Sequence, residues 1–198
     1  DWKLVKGELP KGLTFKKGKL TGTTTATGHY PITLSLSNGK QTIEKDFDLV
    51  VRGRNISKDC AEILSLAKFS RLDIIDSCWT TNSMDYYTES VEAINDGIIK
   101  GPHSVFATVT EKSNAPKRDY FGYRWEQPIK TNMVAFHYGC LEEYGGWYSN
   151  MHVEYLDAEG NWQPVEATVT PALPESDAVF IQPHFAEFVF EFEPVETT

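Results

Sequence analysis

The sequence is poor in the residues that build redox, metal and membrane chemistry. It holds three cysteines, Cys60, Cys78 and Cys140, with no CxxC pair and no metal-ligand spacing. An odd number excludes complete internal pairing, leaving buried free thiols or one disulfide such as Cys60–Cys78. No stretch approaches the roughly 18 uninterrupted apolar residues that a membrane helix requires. The opening residues also lack the basic-then-apolar order of a signal peptide, so the chain reads as mature or trimmed. No GxSxG, P-loop, HExxH or GxGxxG is present. Carboxylates are plentiful at Glu142-Glu143 and Asp73/Asp76, and a glycosidase needs two across a cleft. Among 28 acidic residues such neighbours arise by chance, and no distinctive nucleophile accompanies them. No bond-breaking activity of the chain's own is expected.

Positive charge is scarce in most of the chain. Residues 1–52 carry nine Lys and Arg against five Asp and Glu, a net of +4. Residues 53–198 carry ten against twenty-three, a net of −13. The change of sign predicts a boundary near Arg52. It also argues against nucleic acid, which is bound through clustered positive charge that displaces phosphate counterions.

Aromatic residues, by contrast, make up 13% of the chain, and they favour pleated surfaces. Short apolar segments cut by turns predict strands at Trp2–Val5, Leu13–Phe15, Lys19–Gly22 and His29–Leu36. The last alternates Tyr30, Ile32, Leu34 and Leu36 with polar residues, the period of a half-buried strand. Asn38-Gly39 is a hairpin signal, with a return strand over Gln41–Val51. Residues 53–62 read as a connector. Ile63–Phe69 fits either a short helix or an entering strand. Further strands are predicted at Leu72–Trp79, Tyr120–Trp125, Met133–Tyr138, Met151–Leu156, Val165–Val169, Val179–Pro183 and Glu187–Phe192. Ser83–Tyr87 reads as a loop and Asp157–Trp162 as a hairpin turn. Many short strands at regular spacing, without a long helix, predict an all-β sandwich or jelly roll.

Two resemblances are written in these residues. Trp2-Lys3-Leu4-Val5, the turn Leu9-Pro10-Lys11-Gly12-Leu13 and the stretch Gly18-Lys19-Leu20-Thr21-Gly22-Thr23-Thr24-Thr25-Ala26-Thr27-Gly28-His29-Tyr30 resemble immunoglobulin-like, cadherin-like modules of bacterial surface and secreted proteins. Their pattern is an LPxGL turn, a GxLxGTPTxxGxY stretch and a last strand ending in LxV. Here Thr24 stands where the pattern has proline. The strands expected before Trp2 are absent, which implies a module that is incomplete or completed by a neighbour. Such modules act mainly as spacers.

Residues from about 65 to 198 resemble the discoidin, or coagulation-factor-type, galactose-binding superfamily attached to bacterial glycoside hydrolases. Glu89–Gly97 matches an ESxEAxNDG element, and Tyr123–Val134 a WxFxxPVxxNxV strand pair. Val153–Trp162 is similar to xxYxDGxxW with Ala158 and Glu159 inserted. Phe192–Thr198 is similar to an FxPVxT approach to a penultimate strand. The arginine-bearing strand and closing strand that follow in the family are expected beyond Thr198. Together the resemblances imply an immunoglobulin-like β-sandwich fragment at 1–52, a linker at 53–62, and a galactose-binding-like jelly-roll β-sandwich at 63–198.

Three candidate sites follow. In Ala93-Ile94-Asn95-Asp96-Gly97, an Asp before Gly in a tight turn can aim a carboxylate and backbone carbonyls at one hard cation, or simply brace the turn. The superfamily often holds a structural calcium there, which would fall to Asp96 and the Ala93 carbonyl. In Gly139–Asn150, Tyr144, Trp147 and Tyr148 offer aromatic plates for the C–H face of a sugar, with Glu142 and Glu143 as hydroxyl acceptors; Trp147 packed over the sandwich end is the other reading. The equivalent loop borders the glycan site in carbohydrate-binding relatives. Met84-Asp85-Tyr86-Tyr87 and Lys117-Arg118-Asp119 are expected on neighbouring loops, where Tyr86, Arg118 or His103 would meet sugar hydroxyls or simply solvent. His137 is expected to be a satisfied strand residue. The expected function is a non-catalytic carbohydrate-binding accessory region of a secreted or cell-surface bacterial protein, such as a glycoside hydrolase. The alternative is a structural module packed against a neighbouring catalytic domain.

Overall fold

The computed structural model describes residues 1–66, 90–99, 106, 119–139, 148, 150–173 and 185–198. The architecture is all-β, as the strand-and-turn pattern predicts, and the only helical pieces among the described residues are 3-10 turns. The chain separates into two compact units, Asp1–Asn55 and Ile56–Thr198.

The first unit opens with β1 (Trp2–Lys6), followed by the hairpin of β2 (Leu13–Lys16) and β3 (Lys19–Gly22). A longer hairpin of β4 (Gly28–Ser37) and β5 (Thr42–Val51) completes it. β4 is the centre of an antiparallel sheet ordered β1-β4-β5. Trp2 lies opposite Leu36 and Leu4 opposite Leu34, while Ile32 faces Phe47 and Leu36 faces Ile43. Because side chains alternate across a strand, Trp2, Leu4, Ile32, Leu34, Ile43 and Phe47 share one face. Glu44, Asp46 and Asp48 share the other.

Two local devices shape this unit. The LPxGL turn is closed by Leu13 N–H donating to the Pro10 carbonyl at 3.0 Å. Beyond it, the backbones of β2 and β3 come so close that a β-carbon on Gly12 would lie 2.1 Å from the Thr23 carbonyl oxygen, and one on Gly22 2.0 Å from that of Gly12. Only glycine fits either position. Thr24 performs a turn function of its own: its hydroxyl accepts from Ala26 N–H at 3.1 Å.

The Asn38-Gly39 hairpin forms, but not as the two-residue turn the dipeptide favours. Gly39 has φ of 89° whereas Asn38 is absent from the positive-φ residues. Asn38 contributes its side chain: Oδ1 accepts from Lys40 and Gln41 N–H at 2.9 and 2.8 Å. An Asx turn thereby replaces the left-handed backbone.

The second unit contains β6 (Glu62–Ser65) paired antiparallel with β7 (Phe121–Arg124). Ile63–Ser65 is thus strand rather than helix, and the connector of residues 53–62 contains a 3-10 turn at Ser57–Asp59. A second sheet places β12 (Glu187–Thr197) between β8 (Ile129–His137) and β11 (Ala167–Thr170). β9 (Glu154–Leu156) and β10 (Trp162–Pro164) form the hairpin around Asp157–Asn161. The segments predicted as strands at Leu72–Trp79 and Val179–Pro183, and as a loop at Ser83–Tyr87, lie outside the described residues.

The core of this unit sits on the central strand. Phe188 and Phe190 are 0% and 2% exposed and pack with Tyr138 against Phe136, Val169 and Leu173. Val189, on the opposite face, is also buried, so β12 is covered on both sides at this point. The ladder between β12 and β8 shifts register between Glu191 and Val195. Pro194 lies in that interval; lacking an N–H, it cannot donate to a ladder, and bulges are where strands accommodate it.

Candidate functional site

The Ala93–Gly97 turn is built from the residues around it. A 3-10 turn at Val91–Ile94 is started by Ser90, whose hydroxyl accepts from Glu92 N–H. Asn95 Nδ2 then donates to the Ser57 carbonyl at 3.0 Å and toward the Cys60 sulfur at 3.5 Å. The Tyr123 hydroxyl donates to the Ile94 carbonyl at 2.9 Å. Trp125 Nε1 donates to the Ile56 carbonyl at 3.2 Å, and Ala61 N–H to the Arg124 carbonyl at 2.7 Å. The turn, the 3-10 segment Ser57–Asp59 and the β6–β7 pair form one braced corner. Burial, and then the neighbouring Cys60 thiol, pushes the Tyr123 phenol up to about 12. Cys60 is a free, half-buried thiol, and Cys78 lies outside the described residues.

Asp96 braces this turn. Its Oδ1 accepts from Ile98 N–H at 2.6 Å, and Gly97 has φ of 82°. The end of the Lys58 side chain lies over Gly97: a β-carbon there would be 3.0 Å from both Cε and Nζ. Calcium takes six to eight oxygen ligands. Among the described residues no three His, Cys, Asp or Glu side chains gather to hold a metal.

The aromatic loop is described at its ends. Tyr148 is placed against the core, its ring stacked near Tyr138 with centroids 6.4 Å apart and edge-on to Phe136 at 6.2 Å. The Tyr138 hydroxyl donates to the Tyr148 carbonyl and accepts from Tyr148 N–H, holding both backbone polar groups of one residue. Burial raises the Tyr138 phenol to about 12. At the same end, Phe185 N–H donates to the Gly139 carbonyl at 3.0 Å. Tyr148 is therefore a packing residue, and sequence reasoning missed Tyr138 as the group that fixes it. The signal was an aromatic at the end of a strand whose hydroxyl, once buried, needs a partner. Glu142, Glu143, Tyr144, Trp147, Tyr86, Arg118 and His103 lie outside the described residues. His137 is satisfied, its Nε2 3.1 Å from Glu187 Oε2 across the β8–β12 pair.

A third feature was not singled out from the sequence. In the first unit, Ile43 is 66% and Phe47 42% exposed, and Trp2 is 44% exposed on the same face. Trp2 meets Phe15 of the β2–β3 hairpin edge-on at 6.4 Å, so that hairpin occupies the β1 side of the face. Ile43 and Phe47 remain open on the β5 side, with the Lys45 ammonium 5.5 Å from the centre of the Phe47 ring.

The described residues thus define a β architecture with two braced loop regions and one open apolar sheet face. Residues 1–52 match the family He_PIG, described as "Putative Ig domain", so the first unit is similar to immunoglobulin-like modules. No curated protein and no solved structure gave a match to the chain. No helix among the described residues is long and apolar enough to cross a membrane.

Proposed function

We propose that this chain is a non-catalytic accessory region of a secreted or cell-surface protein, whose immunoglobulin-like unit presents an apolar sheet face to a neighbouring polypeptide. The observation that supports it is the exposure of Ile43 and Phe47 on an otherwise regular strand of the family-matched unit. Exposed apolar side chains on a sheet face mark interaction sites. A catalytic domain of the same protein, such as a glycoside hydrolase, is a partner of the expected chemistry. Titration of the intact chain with an apolar-surface dye tests the reading. Strong dye fluorescence should fall in the Ile43→Ser/Phe47→Ser double variant while the thermal midpoint stays within a few degrees. Absence of dye binding by the unaltered chain, or collapse of the fold in the variant, would defeat it.

A second reading, carbohydrate binding by the second unit, is favoured by the Tyr138 clamp on Tyr148. That clamp anchors the peptide that directly follows Trp147 in the chain. With Tyr148 packed inward, the sugar platform falls to Trp147 and Tyr144, with Glu142, Glu143, Tyr86 and Arg118 as polar partners. Weak contacts of this sort gain strength by tethering, which raises effective concentration at a polymeric substrate. Calorimetry against a panel of oligosaccharides decides it: heat that disappears in Trp147→Ala supports the site, and no heat with the unaltered chain removes it. A structural calcium at Asp96 and the Ala93 carbonyl belongs to this reading, its remaining ligands drawn from outside the described residues. A rise in thermal midpoint when calcium is added to chelator-treated chain supports it, and an unchanged midpoint removes it.

A further inference from the structure

Among the described residues the open face continues to a strand edge with no second strand on it, and the charges on that edge indicate what it receives. β5 is the last strand of its sheet. It pairs with β4 along its whole length, from Thr42 opposite Ser37 to Val51 opposite Gly28. Every residue of β5 except Leu49 and Val51 is exposed. A long exposed edge is a template for another strand, and folded proteins add strands to such edges through main-chain hydrogen bonds.

Side-chain chemistry narrows the candidates. Directly opposed residues of neighbouring strands point to the same face. Glu44, Asp46 and Asp48 form an unbroken acidic row on one face of β5, since they lie opposite Ser35, Thr33 and Pro31 of β4. A second copy of β5 is poorly suited. Every antiparallel register that overlaps most of the strand and keeps the two acidic rows on one face sets one of these acids opposite another. A register shifted by one residue turns the acidic row of one copy onto the face that holds Ile43 and Phe47 of the other. An in-register parallel pair stacks each acid on its own copy. Like charges directly opposed destabilise a sheet. The other face is apolar at Ile43 and Phe47. The row is held in place: the Thr33 hydroxyl donates to Asp46 Oδ1 at 2.6 Å and His29 Nδ1 lies 2.5 Å from Asp48 Oδ2. Among the described residues Glu44 has no comparable bond.

We propose that β5 is a strand-acceptor edge for a different polypeptide, taking an extended segment with apolar side chains on one face and Lys or Arg alternating on the other. The proposal rests on the interaction-module reading and deepens it by naming the partner's chemistry. The added strand extends the β1-β4-β5 sheet, sets its basic side chains beside Glu44, Asp46 and Asp48, and lays its apolar ones beside Ile43 and Phe47.

The test uses the intact chain and fluorescein-labelled ten-residue peptides, one alternating Val with Lys, one alternating Val with Glu, and one with the Val/Lys composition scrambled. Fluorescence anisotropy should show saturable binding of the Val/Lys peptide alone. Amide hydrogen exchange should slow in residues 42–51 and not elsewhere. Glu44→Lys, which leaves the bonds of Asp46 and Asp48 intact, should weaken binding by up to about fivefold, the size of one cross-strand charge pair. Equal binding of the Val/Glu or scrambled peptide overturns the proposal, as does binding that leaves residues 42–51 unprotected. Concentration-dependent dimers lost in Phe47→Ser would make a second copy the occupant and overturn it too. Strong dye binding without peptide binding leaves the apolar-face reading standing and sinks strand addition alone.

Discussion

The two units bury their apolar residues to very different degrees. In the second, a central strand flanked on both edges seals Phe188 and Phe190 together with Tyr138. In the first, Ile32 alone among the described large apolar side chains is nearly fully buried, and residues of the same face stand open to solvent. The sequences of the strands are equally apolar, so composition does not separate them. The separation comes from coverage among the described residues: β12 has neighbours on both edges and apolar atoms on both faces, whereas β5 has a neighbour on one edge and its apolar face is open at Ile43 and Phe47. A sheet face is stabilised by what lies over it, and an apolar strand left uncovered is suited to association more than to holding its own fold.

The sharpest way to break this comparison is truncation on both sides of it. Phe188→Ala should destabilise the second unit by about 3–5 kcal/mol, because it leaves a cavity at a site with no exposed surface. Phe47→Ala, the same change in chemistry, should cost roughly 0.5 kcal/mol or less, as surface substitutions do. Urea denaturation followed by tryptophan fluorescence measures both. Comparable losses would mean that the open face is stabilised by something other than burial, and the contrast between the units would fail.

A smaller effect is expected at the Tyr138 clamp. Tyr138→Phe keeps the ring in the core but removes the two hydrogen bonds that the hydroxyl makes to the Tyr148 backbone, a cost of about 1–3 kcal/mol. The hydroxyl also gives a pH signature. Burial holds the Tyr138 and Tyr123 phenols up at about 12, so the folded state keeps their protons more tightly than the unfolded chain. Their contribution is complete below the unfolded value near 10 and is lost as pH rises from there toward 12. Absorbance at the phenolate band should therefore show at least two tyrosines ionising later than an exposed tyrosine, and one fewer in Tyr138→Phe.

Much of the fold could be read directly from local pattern, and its failures have physical causes. The alternation of Tyr30, Ile32, Leu34 and Leu36 announces β4, and that of Phe188, Phe190 and Phe192 announces β12. Where the apolar run lacks a period, as in Ile63-Leu64-Ser65-Leu66, pairing with the distant β7 decides between helix and strand. β10 escaped notice because Pro164 reads as a strand breaker, yet this strand pairs only with β9, leaving proline on an edge where it is tolerated. The extension of β12 beyond Phe192 was hidden by Pro194 for a similar reason. Of the candidate sites, the turn role of Asp96 was open to local reasoning, since Asp before Gly makes an Asx turn. The packing of Tyr148 was not, because it depends on Tyr138 at the end of another strand. The open face at β5 was visible as apolar residues but not as a surface, because exposure depends on what else covers the sheet.

The smallest expected effect compares two turns of the same design, one in each unit. In the first, Asn38 Oδ1 accepts from Lys40 and Gln41 N–H. In the second, Asp157 Oδ1 accepts from Glu159 and Asn161 N–H at 3.1 and 2.7 Å, and Gln163 Nε2 donates to its other oxygen at 2.9 Å. In both turns one side-chain oxygen accepts from two backbone N–H groups, but only one acceptor carries charge. The Asn161 N–H, and then the Gln163 amide, hold the Asp157 carboxyl below its ordinary value. Its contribution is therefore present above the unfolded carboxylate value and is lost as pH falls through the lower folded one. On acidification, proton shifts of the Asn161 amide should titrate with a midpoint below that of an ordinary aspartate, while the Gln41 amide follows no such curve. Asp157→Asn should abolish the titration and make the second turn behave like the first, with little change in stability near neutral pH because an amide oxygen still accepts. A Gln41 amide that titrates in step with Asn161 would show that the two turns respond to a common unfolding event and not to the charge of their own acceptor.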